Sequence, residues 1–337
     1  MLASFFAFVT IARVWADGGV TAIADRLTSP PGSSEATPTG PSFGSPTDTD
    51  NDGDSYAAAD NGDASGAGSA TGGGTSGSAT APAVASALDN PCVAGSDDAH
   101  CKRHALDGFY RAVADEKAGT LRRAVRVSWY GDSVVATDAL PGHLRARMQA
   151  ELGDGGPGFV FAVPPHKFCE HEAITRAITG TWYPHAISTL QTGDGFYGVG
   201  GSTAETSDGH STIKLINGKA SRVELYYLAQ PGGGNAKVSA DGAELMTATT
   251  RGDVKEPGYV MAKVDGGASK FEIAAAGRVR LFGIDLENDT GAVVDNLGIV
   301  SVNVKSWGVA DPEHWRTELF HRQADLVMIM IGANEAE

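Results

Sequence analysis

Positive charge is unevenly distributed in this 337-residue sequence, because Lys and Arg are absent from residues 27–101. The same stretch is rich in Gly, Ser, Thr, Pro and Asp and has few large apolar residues. It buries too little apolar surface to offset the entropy of ordering it, so we interpret residues 17–89 as a disordered acidic linker. The net charge of −15 owes much to this stretch. No basic stripe with interleaved aromatics is present, which argues against a nucleic-acid partner.

The sequence also lacks an apolar run at its amino terminus that is long enough to span a bilayer comfortably. The run Leu2–Ile11 is followed by Val14-Trp15-Ala16, which has the small-residue spacing of a signal-peptidase site. No basic segment precedes the run, and Arg13 follows it. We favour a signal peptide in residues 1–16 and export to the periplasm or the exterior, with membrane association through this segment as a variant. A short buried helix is the alternative.

Cysteine is scarce, with three residues in the chain. Cys92 and Cys101 lie close together where the folded region begins, which suits one small disulfide in an oxidising compartment. Cys169 would then be unpaired. Three unrelated free thiols are the alternative.

The folded region is predicted to begin with α/β structure near residue 90. Helical spacing of Leu106, Phe109, Tyr110 and Val113 predicts a helix over 105–118. Residues 124–130 form a predicted strand that ends at Gly131-Asp132-Ser133. Pro141 opens a second helix that Gly153 closes. A strand, a tight turn and a helix in this order indicate a layered α/β domain.

The pattern changes from about residue 182 to residue 287. Short alternating segments are separated by Gly, Asp and Asn turns, as in Val223–Tyr227 and Lys270–Ile273. This predicts a β-sandwich of about the size of one domain. We therefore divide the folded region into an α/β part (90–165), an inserted sandwich (166–290) and a second α/β part (291–337).

The second α/β part contains a helix and a buried strand. Asp311-Pro312 begins a predicted helix through about Gln323, with Trp315, Leu319 and Phe320 on one side. The run Leu326–Ile331 predicts a strand of a parallel sheet that is buried on both faces.

Ser133 is the candidate nucleophile. It follows a buried strand and Gly131, so its hydroxyl should lie at the carboxyl edge of the sheet, where open α/β folds bind ligands. Gly332 and Asn334 follow the second predicted strand and should reach the same edge. An Asn amide there can donate to an oxyanion, as can the backbone N–H of Ser133. Gly-Asp-Ser alone is a weak signal, and its pairing with Gly-x-Asn strengthens it.

Other chemical motifs are missing or incomplete. There is no Gly-x-Ser-x-Gly elbow and no phosphate-binding glycine loop. Residues 48–54 imitate the start of a calcium loop, but Ala59 occupies the twelfth position, so we favour an acidic repeat. His166, His171 and His185 lie near Cys169 and Glu170 without a zinc spacing. We therefore expect no metal and no cofactor.

Two blocks of this sequence resemble those of the GDSL, or SGNH, hydrolases. Val127–Ser133 is similar to the first block of that family, and Ile331–Glu335 is similar to its third. The stretch between them resembles the subgroup with an inserted carbohydrate-binding-like β-sandwich, as in peptidoglycan O-acetylesterases. The resemblance implies a three-layer α/β/α domain with a parallel sheet, interrupted by a β-sandwich and incomplete at its carboxyl end.

The resemblance also implies roles for individual residues. Ser133 would be the nucleophile, supported by Gly131 and Asp132, and Asn334 an oxyanion donor. Gly298 is the nearest match to the glycine of the second block, although that glycine usually falls where Ser301 stands here.

The Asp-x-x-His block that supplies the base does not follow Asn334. The same spacing occurs at Asp97–His100 and Asp311–His314, and we interpret the second pair as a helix cap. We therefore expect a fragment with little activity on p-nitrophenyl acetate.

These inferences predict an exported serine esterase that removes O-acetyl or similar small acyl groups from a carbohydrate polymer such as peptidoglycan. Two alternatives remain open. One is a sugar O-acyltransferase that uses the same site, and the other is a carbohydrate-binding protein without catalytic activity.

Overall fold

The computed structural model describes residues 7–12, 90–94 and 100–335. Several predictions fall outside these residues. They concern the linker (17–89) with its calcium-like stretch, Asp97 of the Asp97–His100 pair, and residues 1–6 and 13–16 of the signal peptide. Within the described residues, none of the helices is long and apolar enough to cross a membrane.

The described elements follow in chain order. The first part contains β1 (Ala7–Ala12), β2 (Cys92–Ala94), β3 (Arg103–His104), α1 (Asp107–Lys117), β4 (Val125–Gly131), α2 (Ser133–Ala136), α3 (Ala139–Leu152) and β5 (Gly158–Val160). The middle contains β6 (Ile174–Thr179), β7 (Tyr183–Ala186), β8 (Ser202–Thr206), β9 (His210–Leu215), β10 (Ala220–Ala229), β11 (Asn235–Ala240), β12 (Ala243–Thr249), β13 (Glu256–Ala268), β14 (Lys270–Ala276) and β15 (Val279–Glu287). The last part contains β16 (Ala292–Gly298), a 3₁₀-helix (Val304–Val309), α4 (Pro312–Arg322) and β17 (Leu326–Ile331).

A four-stranded sheet in the order β1-β17-β4-β16 carries the two predicted motifs. Strands β16 and β17 both run parallel to β4, and the parallel arrangement of β17 with β4 was predicted. Strand β1 pairs antiparallel with β17, so Ala7–Ala12 is an extended strand and not the helix considered as the alternative. The signal-peptide interpretation stays a prediction.

The two faces of this sheet are covered by different elements, because successive side chains of a strand point to opposite faces. Trp129 of β4 packs in a cluster with Phe109 of α1 and with Met148 of α3. Tyr130 points the other way, and its ring makes edge contacts with Trp307 of the 3₁₀-helix and Trp315 of α4. Helices therefore lie on both sides of β4.

Two details of the predicted second α/β part differ in the structure. Phe320 is 42% exposed, because it lies off the buried face of α4. The buried residues of this helix are His314, Trp315, Glu318 and Arg322. In β17 only Met330 is fully buried, and its other residues are half-buried. The helix itself begins as predicted, with Asp311 at the N-cap and Pro312 in the first turn.

The middle of the chain consists of two antiparallel sheets with one shared core. One sheet has the order β13-β10-β15-β8-β7, with β5 paired to β15, and the other has the order β12-β11-β14-β9-β6. Apolar residues of both sheets, such as Leu225, Val238 and Phe271, belong to the same buried cluster. The molecule therefore combines parallel and antiparallel sheets with few helices.

Cys92 and Cys101 form a disulfide that joins β2 to the segment before β3. Cys169 is a free, buried thiol. Both observations agree with the predicted pairing.

A buried ion-pair network joins the parallel sheet to the antiparallel sheets. The guanidinium of Arg322 contacts Asp295 of β16 and Asp285 and Glu287 of β15 at 2.7 to 3.1 Å. Arg126 of β4 binds the same Glu287. Burial raises the pKa of Glu287, but Arg126 and Arg322 outweigh that effect and hold the pKa at about 2. Burial also raises the pKa of Asp285 well above its usual value.

We expect Glu287→Gln to lower the free energy of unfolding by about 3–5 kcal/mol, because it leaves two buried guanidinium groups undercompensated. The folded-state pKa of Glu287 lies below the unfolded value of about 4.3. Its contribution is therefore complete above that pH and is lost as the pH falls toward 2. Urea denaturation between pH 7 and pH 3 should show a flatter pH dependence for the variant.

The control is Glu244→Gln, because Glu244 and its partner Lys237 are both well exposed. An exposed pair of this kind contributes about 0–1 kcal/mol. Equal losses in the two variants would contradict the role assigned to the buried network.

Candidate active site

Ser133 is the first residue of helix α2, directly after the buried strand β4. Asp132 is the N-cap, and its side chain accepts a hydrogen bond from the backbone N–H of Val134 at 2.9 Å. The N–H of Asp132 donates to the carbonyl of Met330 in β17, at 3.3 Å. The side chain of Asp132 therefore supports the turn, while Ser133 is partly exposed at the sheet edge.

Glycine is required at two strand ends, because α2 lies directly on them. A Cβ added to Gly131 would lie 2.2 Å from Cγ2 of Val135 and 2.7 Å from the carbonyl oxygen of Met330. A Cβ added to Gly298 would lie 2.2 Å from the backbone nitrogen of Ala136. The two glycines thus let the helix that begins at Ser133 approach the sheet closely.

The parallel register brings the ends of three strands together. Gly131 is aligned with Gly298 of β16 on one side and with Met330 of β17 on the other. The residues that follow these strand ends, including Ser133 and Asn334, therefore lie at the same edge, as predicted. Gly332 begins the turn after β17.

The side-chain amide of Asn334 makes one hydrogen bond within the protein. Its Nδ2 donates to the carbonyl of Val302 at 2.9 Å, which holds the turn after β17 against the segment after β16. An amide nitrogen carries two hydrogens, so one donor is left for a ligand.

The backbone N–H of Gly298, predicted as an oxyanion donor, has a partner. It donates to Oδ1 of Asn296 at 3.0 Å, so this N–H is not available to a substrate in this structure. Ser301, three residues further on, has a φ of 62°, in the left-handed region that favours glycine. Within the described ranges, the N–H of Ser301 has no hydrogen-bond partner.

No hydrogen bond joins a histidine ring to the Ser133 hydroxyl among residues 7–12, 90–94 and 100–335. His171 lies 3.8 Å from the buried carboxylate of Asp138, but its Nε2 contacts the carbonyl of Pro157. Burial, with a smaller effect of Arg145, lowers the pKa of His171 to about 3, so the ring is neutral near pH 7.

The second Asp-x-x-His spacing is a helix cap, as predicted. The side chain of Asp311 accepts a hydrogen bond from the backbone N–H of His314 at 2.8 Å. The His314 ring stacks on Phe196, with 4.7 Å between ring centroids. Burial lowers the pKa of His314 to about 4.

Asn296 is a structural residue of the site that sequence reasoning missed. Its Nδ2 donates to the carbonyls of Ala136 and Glu170, at 3.2 and 3.1 Å, while its Oδ1 accepts from Gly298. One side chain therefore joins the end of α2, the loop 164–173 and the end of β16. These partners are far away in the chain, so no local pattern indicates them.

Asp138 is a second missed residue and is completely buried. It has a φ of 64° and accepts hydrogen bonds from both terminal nitrogens of Arg145 and from the N–H of Glu172. Arg145 also donates to the carbonyl of Val294 in β16. This ion pair fixes the junction of α2 and α3 against the sheet and the loop 164–173.

The described residues contain no group of three or more His, Cys, Asp or Glu side chains that could hold a metal ion. His166 contacts Phe168, and His185 contacts the carbonyl of Leu190.

Neither a protein-family model nor a curated protein sequence matches the chain. A solved structure of a peptidoglycan O-acetylesterase is similar at 26% sequence identity and a TM-score of 0.55. The match covers 68% of this chain and 61% of that chain, so this chain spans less than two thirds of the esterase. The likeness supports an esterase-like fold.

Carbohydrate-binding modules are also similar to part of the chain. A family 29 module is 12% identical over 40% of this chain and 88% of its own, with a TM-score of 0.26. The C-terminal module of a marine laminarinase from Zobellia galactanivorans is 12% identical over 32% of this chain and 100% of its own, with a TM-score of 0.22. Likenesses this weak carry no argument about function.

We expect Gly298→Ala to lower the free energy of unfolding by about 1–3 kcal/mol, because the added methyl group overlaps the backbone of α2. The matched control is Gly308→Ala, since a Cβ there would meet nothing within 4 Å. Urea denaturation of both variants measures the difference. A Gly298→Ala protein as stable as Gly308→Ala would contradict the close packing of α2 on β16.

Proposed function

We propose that this chain carries the nucleophile of an exported serine esterase of the SGNH kind, which removes O-acetyl or similar small acyl groups from a carbohydrate polymer such as peptidoglycan. The single observation that carries the proposal is the placement of Ser133 beside the ends of β16 and β17. Similarity to a peptidoglycan O-acetylesterase supports the substrate class.

In the proposed reaction, the Ser133 oxygen forms a bond to the ester carbonyl carbon, and its proton passes to a base. The negative charge on the carbonyl oxygen is stabilised by the N–H of Ser133, the N–H of Ser301 and the amide of Asn334. We assign Ser301 in place of Gly298, because the Gly298 N–H already donates to Asn296. The sugar alcohol leaves with the proton, and water then hydrolyses the acyl-serine.

The base in this proposal comes from outside the described residues. A serine hydroxyl is a poor nucleophile until a base removes its proton. No histidine ring within the described ranges is hydrogen-bonded to Ser133, so we expect slow turnover on small esters. A triad enzyme without its base retains what the oxyanion donors and substrate binding provide.

The two antiparallel sheets are proposed to be the carbohydrate-binding-like insert of the SGNH domain. In the chain, strands β5–β15 lie between β4 and the strands β16 and β17 that run parallel to it. Their position supports a role in presenting a sugar to the Ser133 edge. The Cys92–Cys101 disulfide supports export, because disulfides persist in oxidising compartments.

We expect exogenous imidazole to accelerate hydrolysis of p-nitrophenyl acetate by this chain, because a small base can take the place of the histidine that the described residues do not bring to Ser133. Imidazole also reacts with the ester directly, so the rate with Ser133→Ala is subtracted. The expected result is a Ser133-dependent increment that saturates with ester concentration. Ser306→Ala, at a buried serine of the 3₁₀-helix, is a matched control and should keep this increment.

Acetylation or phosphonylation of Ser133, mapped by mass spectrometry, is an independent readout. Equal rates in the parent chain and Ser133→Ala, with no labelled Ser133, would exclude the esterase. Saccharide binding by such an unreactive protein would favour the non-catalytic alternative.

A further inference from the structure

A cleft of about 510 Å³ lies between the loop 164–172 and strand β6 of the antiparallel sheets. Its volume is within the range of small-molecule sites. One wall is attached to the nucleophile helix α2, because the N–H of Glu170 donates to the carbonyl of Ala136 at 2.9 Å. Asn296 bonds the carbonyls of the same two residues. The cleft is therefore held in a fixed relation to α2, which begins at Ser133.

Arg176 lines this cleft and has no carboxylate partner in the part of the chain that the structure describes. Its Nη2 donates to the carbonyl of Phe161 at 2.9 Å, and its Nε is buried with no hydrogen-bond partner within the described residues. No Asp or Glu of the described ranges forms an ion pair with it. Burial lowers the pKa of Arg176 to about 10, so the guanidinium is still charged at pH 7.

Arg176 is half-buried, whereas four arginines of this protein are fully buried and compensated. Arg126 pairs with Glu287, Arg145 with Asp138, Arg280 with Asp194 and Arg322 with three carboxylates. The Nε of Arg176 is buried without a hydrogen-bond partner among the described residues, and leaving such a group unpaired is costly. A carboxylate is the partner that a guanidinium binds best. The contrast indicates that Arg176 lacks an anion that a ligand can supply.

The rest of the cleft combines apolar and charged side chains. Ile178 and Ile216 are 39% and 53% exposed and offer an apolar surface. Lys167 adds a second cation, and its Nζ lies 4.9 Å from the ring centroid of the exposed Phe168. Glu170 and Glu172 also line the cleft but are exposed to solvent, so water satisfies them.

We propose that this cleft binds a carboxylate-bearing saccharide, with Arg176 holding the carboxylate and Ile178 and Ile216 packing against the apolar face of the sugar ring. The proposal rests on the function proposed above and deepens it by naming an acidic glycan as the substrate class. The carboxylate can belong to the ring itself, as in a uronic acid, or to a lactyl or peptide substituent. Both present the same chemistry to Arg176.

The test is titration of the 337-residue chain with three sugars, and binding is measured by calorimetry and by NMR. N-acetylmuramic acid carries its carboxylate on a lactyl group, glucuronic acid carries it on the ring, and N-acetylglucosamine is neutral. We expect saturable binding of at least one acid, at least tenfold tighter than binding of the neutral sugar. The acid that binds more tightly identifies the source of the carboxylate.

Variants assign the binding to the cleft. Arg176→Gln should weaken binding of the acid at least tenfold, Arg176→Lys should lose less, and Lys167→Ala should lose a few-fold. Lys237→Ala on β11, outside the cleft, is the control and should bind as the parent chain does. Arg176 also donates to the carbonyl of Phe161, so thermal unfolding is used to check that each variant is folded. If Arg176→Gln does not fold, the test rests on Lys167→Ala, because Lys167 is exposed.

The inference is overturned if neither acid binds, if N-acetylglucosamine binds equally well, or if folded cleft variants bind like the Lys237→Ala control. Its failure is separable from that of the proposed function, because p-nitrophenyl acetate carries no carboxylate. Acid binding without Ser133 reactivity would leave the cleft inference standing alone.

Discussion

The parallel sheet and the antiparallel sheets are held together by the guanidinium of Arg322. It projects from α4 and binds Asp295 of the parallel sheet together with Asp285 and Glu287 of the antiparallel sheets. Ser128 of β4 donates to the same Asp295, and so does the N–H of Phe159. Each of these groups would be costly to bury alone, so the network stabilises only the arrangement in which all of them meet.

The geometry around Ser133 depends on a second constraint, which is steric. Gly131 and Gly298 leave room for α2 to lie on the strand ends, and Asn296 and Asp138 then fix the loop 164–173 beside it. The antiparallel sheets and the nucleophile turn are therefore connected by hydrogen bonds as well as by the buried ions. A ligand in the cleft beside Arg176 would contact a part of the molecule that is directly bonded to α2.

Local structure was largely predictable. The 3.6-residue spacing gave helix α1 within two residues of its observed ends, and the cap chemistry of Asp311-Pro312 placed the start of α4 correctly. Strand β4 and the turn at Gly131 were also predicted, because a buried apolar strand and a glycine each leave a signal within a few residues. The parallel pairing of β4 with β17 followed from the α/β pattern.

The sequence by itself predicted helices α1 and α4, strands β4 and β17, the favoured pairing of Cys92 with Cys101, and a common sheet edge for Ser133 and Asn334. The tertiary structure decided which donors are free there, because the N–H of Gly298 is used by Asn296 and that of Ser301 is not. It also placed Asp138 and Asn296 in the site and left Arg176 without a carboxylate partner among the described residues. The physical reason is distance along the chain: Asn296 and Ala136 are 160 positions apart, so their hydrogen bond leaves no periodicity or spacing to read.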